Sequence, residues 1–441
     1  MTSSATLTGM ISGDAPKSAA HRIMLAFVWV TMATGAIVFT EPSPYDLFGM
    51  AALVVLPAVG LIKFTQTLLA YVAIMLIPIA CAFLAVLMAI EPPRALTHTT
   101  VTLFLTLISF VIAAFVVKAP ERHARLVLNG FVAAGLLAAG AGLAGYLNLF
   151  PGAYDIFTLY GRVSGTFKDP NVFGAFLVLP AVYLMHRLRA ARRGMVVLAL
   201  TGVGALALGI LLSFSRGAWF NLAAAMAVFA YFSYVTASNN MQRLRILGCV
   251  GGAVLGGSLL VAVALQFDVV AELLSERATL TQSYDVGPEG RFGGQAKAKQ
   301  LILAHPLGLG AQQFDPYYHL EEAHNVYLSM FMNAGWLGGL IFATMIGLTC
   351  LFGARHALKK TATQSLFLVA YAALVAHALE GFVIDLDHWR HFHLLMALVW
   401  GLMLGDRIPA ATAAARAMEL SLRVRAMAEP RRQCAAVYIA S

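Results

Sequence analysis

Long apolar stretches without a charged residue recur along this chain and limit what it can fold into. Crossing a bilayer core takes roughly 20 apolar residues, and stretches of about that length include residues 23–40, 64–90, 95–117, 126–154, 246–267 and 325–354. The ten-residue alternation of transmembrane strands is not visible. Only 12% of the residues are charged, about half the share found in soluble domains. The sequence therefore predicts an all-α integral membrane protein.

Charged breaks between the apolar stretches predict about twelve spans and one large loop. The spans are 23–40, 47–62, 64–90, 95–117, 126–150, 171–185, 195–213, 217–238, 246–266, 325–353, 361–380 and 392–405. In the loop 267–323, between the ninth and tenth spans, amphipathic spacing predicts a helix over Asp268–Leu280, and a second helix over Phe292–Ala304 stops before Pro306. With no internal repeat, we expect one membrane domain over 23–405, an N-terminal tail over 1–22 and a basic tail over 406–441.

The distribution of basic residues predicts the orientation. With the N-terminus in the cytoplasm, 21 of the 30 lysines and arginines lie on the cytoplasmic side, as the positive-inside rule requires. Both termini are then cytoplasmic in a bacterial inner membrane. The loop 267–323 becomes periplasmic, as do residues 151–171, 215–217 and 385–391. Contact of the basic tail with anionic lipid accounts for its charge, so no nucleic-acid partner is predicted.

Residues with catalytic potential gather on the predicted periplasmic face. His324 directly precedes the tenth span, and Arg162, Arg216 and Arg291 lie in the breaks on the same side. The planar guanidinium suits bidentate contact with phosphate, and a histidine can accept a proton from a hydroxyl at neutral pH. The set fits transfer from a lipid-linked diphosphate to a hydroxyl. A structural role remains open for each residue, as a snorkelling or solvated arginine or as a histidine at the mouth of a span.

Other kinds of site find less support in the sequence. A P-loop and a nucleophile elbow are both missing. A polar cluster near the last span matches no standard metal-ligand spacing; its members are Asp385, Asp387, His388, Arg390, His391 and His393. We interpret it as a polar network at a helix entrance, with a contribution to substrate binding as the alternative. No metal and no cofactor are predicted.

Four segments carry a resemblance to a known family. His324-Asn325, followed by Gly335 and Gly338, resembles the H[NSQ]x9GxxG signature of bacterial O-antigen ligases. Three further segments resemble the family's Arg-x-Ser-Gly-Thr-Phe…Pro-Asn, Ser-x-Ser-Arg-Gly-Ala-Trp and Pro-x-Gly-x-Gly…Phe motifs, in the order Tyr160–Asn171, Ser213–Trp219 and His305–Phe314. Together they span about residues 150–345. The chain thus resembles the superfamily of O-antigen ligases and O-antigen polymerases, which also holds exopolysaccharide polymerases and protein O-oligosaccharyltransferases.

The resemblance implies a metal-independent, inverting membrane glycosyltransferase. Its donor would be an undecaprenyl-diphosphate-linked glycan, and its acceptor a hydroxyl of lipid A–core. His324 matches the general base, Arg216 and Arg291 match arginines that bind the diphosphate, and Arg162 is a further candidate for that role. Four further residues are expected to contact these side chains rather than the substrate: Glu321, Glu322, Asn325 and Arg390.

Alternatives remain at two levels. A polymerase of the same superfamily would use the growing glycan as acceptor, although the histidine motif favours a ligase. The protein-glycosylating branch fits less well, because the chain is short and ends in a basic tail without an added domain. A transporter or lipid-glycan flippase is the alternative from another class. Transporters place ionisable groups near the bilayer midplane, whereas here these groups gather at one face.

Overall fold

The computed structural model describes residues 19–188, 193–277 and 287–407, with only the backbone of Arg193. Most of the two predicted tails, residues 1–18 and 408–441, lies outside the described residues. The described α-helices are α1 Ala19–Ala33, α2 Pro44–Ala58, α3 Gln66–Ala85, α4 Pro92–Lys118, α5 Pro120–Tyr146, α6 Ala153–Phe157, α7 Pro170–Phe176, α8 Val178–Leu188, α9 Arg193–Leu212, α10 Arg216–Val235, α11 Asn240–Ala264, α12 Asp268–Arg277, α13 Arg291–Ala304, α14 Phe314–Tyr317, α15 Val326–Ala357, α16 Gln364–Glu380 and α17 Arg390–Gly405.

Each of the twelve predicted spans contains a helix. Within the described residues, nine helical segments are long and apolar enough to cross a membrane. Three of them combine two elements: α1 with the short 3-10 helix Thr34–Ala36, α3 with the 3-10 helix Val86–Met88, and α7 with α8. The other three predicted spans contain shorter helices: α2, α16 and α17 have 15, 17 and 16 residues. The all-α membrane fold is confirmed, while the number of helices that cross stays a prediction.

The core lies where α4, α16 and α17 pack together. Leu395, Leu398 and Leu402 of α17 are wholly buried, and Gly401 lets α17 approach α4 so closely that a Cβ would lie 2.7 Å from Val116. By contrast, α11 is exposed around almost its whole surface, including Leu255. An apolar helix with this exposure faces lipid, because water would not solvate it.

The loop between α11 and α15 contains the two predicted helices. The second prediction is confirmed within one residue, since α13 runs from Arg291 to Ala304. The first is confirmed from Asp268 to Arg277, while its predicted end at residues 278–280 lies outside the described part of the chain. The sequence did not reveal α14.

A small hairpin between α6 and α7 was not predicted either. Its strands, β1 Thr158–Leu159 and β2 Arg162–Val163, pair antiparallel. Tyr160 and Gly161 form the turn, with φ of 51° and 73°, the positive values that a tight hairpin of type I′ requires. A tyrosine is an unusual residue for the first of these positions, so the sequence carries little hairpin signal.

The first glycine of the histidine signature breaks α15. Gly335 has φ 67°, outside the helical region, and a Cβ at this position would lie 2.5 Å from the carbonyl oxygen of Pro306. The segment ahead of α14 docks here through two hydrogen bonds, from Trp336 N–H to the Pro306 carbonyl (2.9 Å) and from Leu309 N–H to the Met332 carbonyl (2.6 Å). The glycine therefore ties the large loop to the span that follows His324.

Candidate functional site

The turn between α9 and α10 carries Arg216. Phe214 adopts φ 45°, and Ser215 caps α10 by accepting a hydrogen bond from Ala218 N–H, so Arg216 is the first residue of that helix. Arg162 on β2 reaches the same turn, because its Nε donates to the Ser213 carbonyl at 2.8 Å. Two of the predicted arginines are thus brought to one turn.

The end of α16 connects this turn to the start of α15. The Glu380 carboxylate is buried, accepts a hydrogen bond from Asn221 Nδ2 and lies beside Gly217, where a Cβ would come within 2.8 Å of Oε1. The Gly381 carbonyl then accepts a hydrogen bond from Val326 N–H at 2.9 Å. Contacts therefore run from Arg162 through the α9–α10 turn and α16 to the residues next to His324.

His324 lies at the entrance to α15 in a left-handed backbone conformation, φ 47°. Its Nε2 lies 3.5 Å from Glu321 Oε2. Burial and the positive charge of Arg291 lower the pKa of His324 below 6.5, while the charges of Glu321 and Asp169 oppose this shift. The imidazole is therefore neutral at pH 7, the form in which it can accept a proton.

The same electrostatic environment joins the segment of Arg162 to His324. Asp169 caps α7 by accepting from Asn171 N–H, and Asn171 Oδ1 accepts a hydrogen bond from Arg162 Nη2 at 2.7 Å. Since Asp169 and Arg291 both act on His324, the structure brings the elements that carry Arg162, Arg216, Arg291 and His324 to one end of the helical domain.

Asp385 lies next to His324, a position that the sequence did not predict. Its Oδ1 accepts a hydrogen bond from Ser329 Oγ at 2.6 Å. Burial raises the pKa of this carboxyl to about 7, although the Ser329 hydroxyl and the nearby backbone N–H groups of His324 and Asn325 act to lower it. The loop before α17 therefore lies against the backbone that carries His324. The polar cluster around residue 385 was the sequence feature that could have indicated this contact.

The residues predicted to support the site have different surroundings. Glu321 is exposed beside His324, whereas burial, followed by the charge of Asp385, raises the pKa of Glu322 to about 8. Asn325 caps α15 by accepting from Tyr327 N–H and Leu328 N–H. The site roles of these residues stay predictions.

Arg390 is engaged elsewhere in the fold. Its Nε and Nη2 donate to the two carboxylate oxygens of Asp46 on α2, at 2.8 and 2.7 Å. This bidentate pair ties the start of α17 to α2. The geometry therefore favours a structural role for Arg390 over contact with a substrate.

The polar cluster gains a member from α4, His98, that no spacing in the sequence connects to it. Potential metal-ligand atoms of His98, Asp387 and His388 lie within 4.8 Å of one another. The two imidazole rings are stacked, however, with centroids 3.5 Å apart and an interplanar angle of 17°. An ion bound by both would lie far out of each ring plane, away from the nitrogen lone pairs. His388 Nε2 instead lies 2.8 Å from Thr102 Oγ1, which fits a polar network.

Fold and geometry together describe a multi-pass helical membrane protein with a neutral histidine and arginine-bearing segments at one end of its helices. Residues 201–343 match the model of the Wzy_C family, whose description is O-antigen ligase. This match confirms the resemblance to the O-antigen ligase and polymerase superfamily, and the matched segment contains Arg216, Arg291 and His324. It indicates a membrane glycosyltransferase of the ligase or polymerase type, with lipid-linked glycans as substrates. No curated protein matches the chain.

Proposed function

We propose that this protein transfers a glycan from undecaprenyl diphosphate to an acceptor hydroxyl of lipid A–core. The observation that carries the proposal is the convergence of His324 with the segments of Arg162, Arg216 and Arg291 at one end of the membrane domain. The distribution of basic residues supports a periplasmic position for that end, with both termini cytoplasmic in the inner membrane.

The proposed reaction is a single inverting displacement. The acceptor oxygen forms a bond to the anomeric carbon while the bond between that carbon and the diphosphate oxygen breaks. His324 takes the hydroxyl proton, and the diphosphate leaves with the bonding electron pair. This step uses no metal and no cofactor.

The surroundings of His324 suit a general base that accepts one proton in each transfer reaction. Burial and Arg291 keep the imidazole neutral before the reaction. After it accepts the proton, Glu321, with Oε2 3.5 Å from Nε2, stabilises the imidazolium. The positive charge of Arg291 would therefore have two effects: it keeps His324 neutral and it stabilises the departing diphosphate.

The arginines stabilise the charge that develops on the leaving group. Arg162 is oriented by two hydrogen bonds, to Ser213 and Asn171, and the backbone of Arg216 is fixed at the start of α10. Donors fixed before the reaction need no reorganisation, and removing one such donor typically lowers kcat by about 10²–10³.

Single substitutions test this assignment. His324→Ala and Arg216→Ala should leave the protein inserted in the membrane but lower glycan transfer by at least about 10². His305→Ala and Arg125→Ala are the matched controls. His305 Nδ1 contacts only the Leu301 carbonyl among the described hydrogen bonds, and Arg125 forms an exposed pair with Glu121. If His324→Ala and Arg216→Ala both retain normal transfer, the proposal is wrong.

The acceptor requires a separate assay with purified protein and lipid-linked glycan. A ligase transfers the glycan only when lipid A–core is added, whereas a polymerase lengthens the glycan without it. Movement of intact lipid-linked glycan across liposomes, without transfer, would favour the transporter alternative.

A further inference from the structure

Residues that follow directly on α5 expose an unusual amount of apolar surface. Leu147, Leu149 and Tyr160 are 66%, 68% and 85% exposed, although α5 has just ended at Tyr146. Phe150, Tyr154, Ile156 and Leu159 are exposed in the same stretch. A water-facing loop rarely presents so many large apolar side chains together.

The segment that follows α11 adjoins this stretch. Phe267 and Val269, at the start of α12, are both 63% exposed, while Val270 is buried. One turn further along α12, Leu273 Cδ1 lies 3.7 Å from where a Cβ on Gly161 would be. Residues 147–160 and 267–269 thus form neighbouring parts of one surface, here named the apolar ledge.

The position of the apolar ledge points to lipid as its partner. Both parts follow helices long and apolar enough to span the membrane, α5 and α11. Each part therefore begins at the depth where a span leaves the hydrocarbon core. Asp155 and Asp268 are the only charged residues in the two parts. The aromatic rings of Phe150, Tyr154 and Tyr160 are of the kind that settle at the membrane–water interface.

We propose that the apolar ledge inserts into the boundary between lipid headgroups and acyl chains, with bilayer phospholipid as its occupant. The apolar ledge does not cross the membrane. It lies in the interface of one leaflet, as interfacial segments do, with its apolar side chains among the acyl chains. The packing of Leu273 against the hairpin turn lets its two parts insert as one surface.

The insertion has a consequence for Arg162, which rests on the function proposed above. Arg162 follows the exposed Tyr160 by two positions, on the other side of the hairpin turn. With Tyr160 in the interface, the hairpin holds Arg162 at headgroup depth. The diphosphate of a membrane-bound donor lies at that depth, so the ledge places this arginine where the donor presents its charge.

Spin labels measure the depth without relying on enzymatic activity. In protein whose Cys81, Cys249, Cys350 and Cys434 have been replaced by serine, a nitroxide is attached at Tyr160→Cys and the protein is reconstituted in phospholipid vesicles. Leu255→Cys on the lipid-facing α11 and Gln300→Cys on the exposed side of α13 are the controls.

The measured quantity is the ratio of the label's accessibility to oxygen over its accessibility to a water-soluble nickel complex. This ratio should be several-fold higher for the label at 160 than for the label at 300. The depth of the label at 160 should be shallower than that of the label at 255. Nickel accessibility equal to that at 300 overturns the proposal. Dipolar broadening between labels at 160 also overturns it, because a second copy of the chain would then occupy the ledge.

Activity in vesicles tests the consequence for Arg162. Tyr160→Asp should raise the KM for lipid-linked donor several-fold with little change in kcat, whereas Tyr160→Trp, which keeps an interfacial aromatic, should retain the wild-type KM. If Tyr160→Asp leaves KM unchanged while the label at 160 lies in the interface, the ledge binds lipid but does not position Arg162. Failure of the proposed glycan transfer itself would leave the spin-label result unaffected.

Discussion

Replacing Arg390 separates a structural role from a role in substrate binding. Its guanidinium forms two hydrogen bonds of 2.8 and 2.7 Å to Asp46, and the two side chains are only 18% and 12% exposed. Arg390→Ala leaves the Asp46 carboxylate poorly solvated and without its bidentate partner. Removing one member of a buried pair lowers the free energy of unfolding by about 3–5 kcal/mol.

Asp46 contributes to stability in a second way. Its carboxylate also accepts from Ser43 N–H at 2.8 Å, which completes the capping box of α2. Asp46→Ala therefore removes one half of this capping box in addition to the pair. The double variant should lose less stability than the two single losses combined, by about 0.5–3 kcal/mol of coupling.

Denaturant unfolding in detergent micelles measures these differences. Arg125→Ala is the matched control, because its pair with Glu121 at 3.0 Å is about half exposed on both sides and is worth only about 0.3–0.5 kcal/mol. Arg390→Ala should retain the wild-type KM for donor under conditions where it stays folded. Unchanged stability together with a raised KM would refute the structural role and return Arg390 to the substrate site.

Two further substitutions probe the site itself. Glu321→Gln removes a charge that raises the pKa of His324, so the acid limb of the pH profile of kcat/KM should move to lower pH; a shift to higher pH, or none, contradicts the proposed base. Gly217→Ala places a Cβ 2.8 Å from Glu380 Oε1, and overpacking of this kind lowers the free energy of unfolding by about 1–3 kcal/mol. The start of α10 should be displaced, so kcat/KM should fall about tenfold, which corresponds to 1.4 kcal/mol. Gly204→Ala, with open space around it, is the matched control, and equal activity of the two variants would rule out the packing argument.

Several properties of this protein follow from its sequence without any tertiary information. Uncharged stretches of span length predict helices because the bilayer leaves backbone groups no other partner, and a helix was found in each predicted span. Pro306 placed the end of α13 at Ala304, where it is observed, and the predicted start lies within one residue of the observed one. Such features depend on residues close together in the chain. Four short motifs in order, including the glycine spacing after His324, also predicted the superfamily, which the family match confirms.

Other features were decided only by the tertiary structure. The sequence grouped Arg390 with the site because both lie on one predicted face, yet its partner Asp46 lies 344 residues away in the chain. Likewise, no local pattern shows that Asp385 lies beside the backbone of His324 or that Gly335 opens α15 to Pro306. Sequence can predict which end of a helix a residue occupies, because that depends on local apolar and charged patterns. Which carboxylate meets which arginine depends on how distant helices pack, and that requires the folded chain.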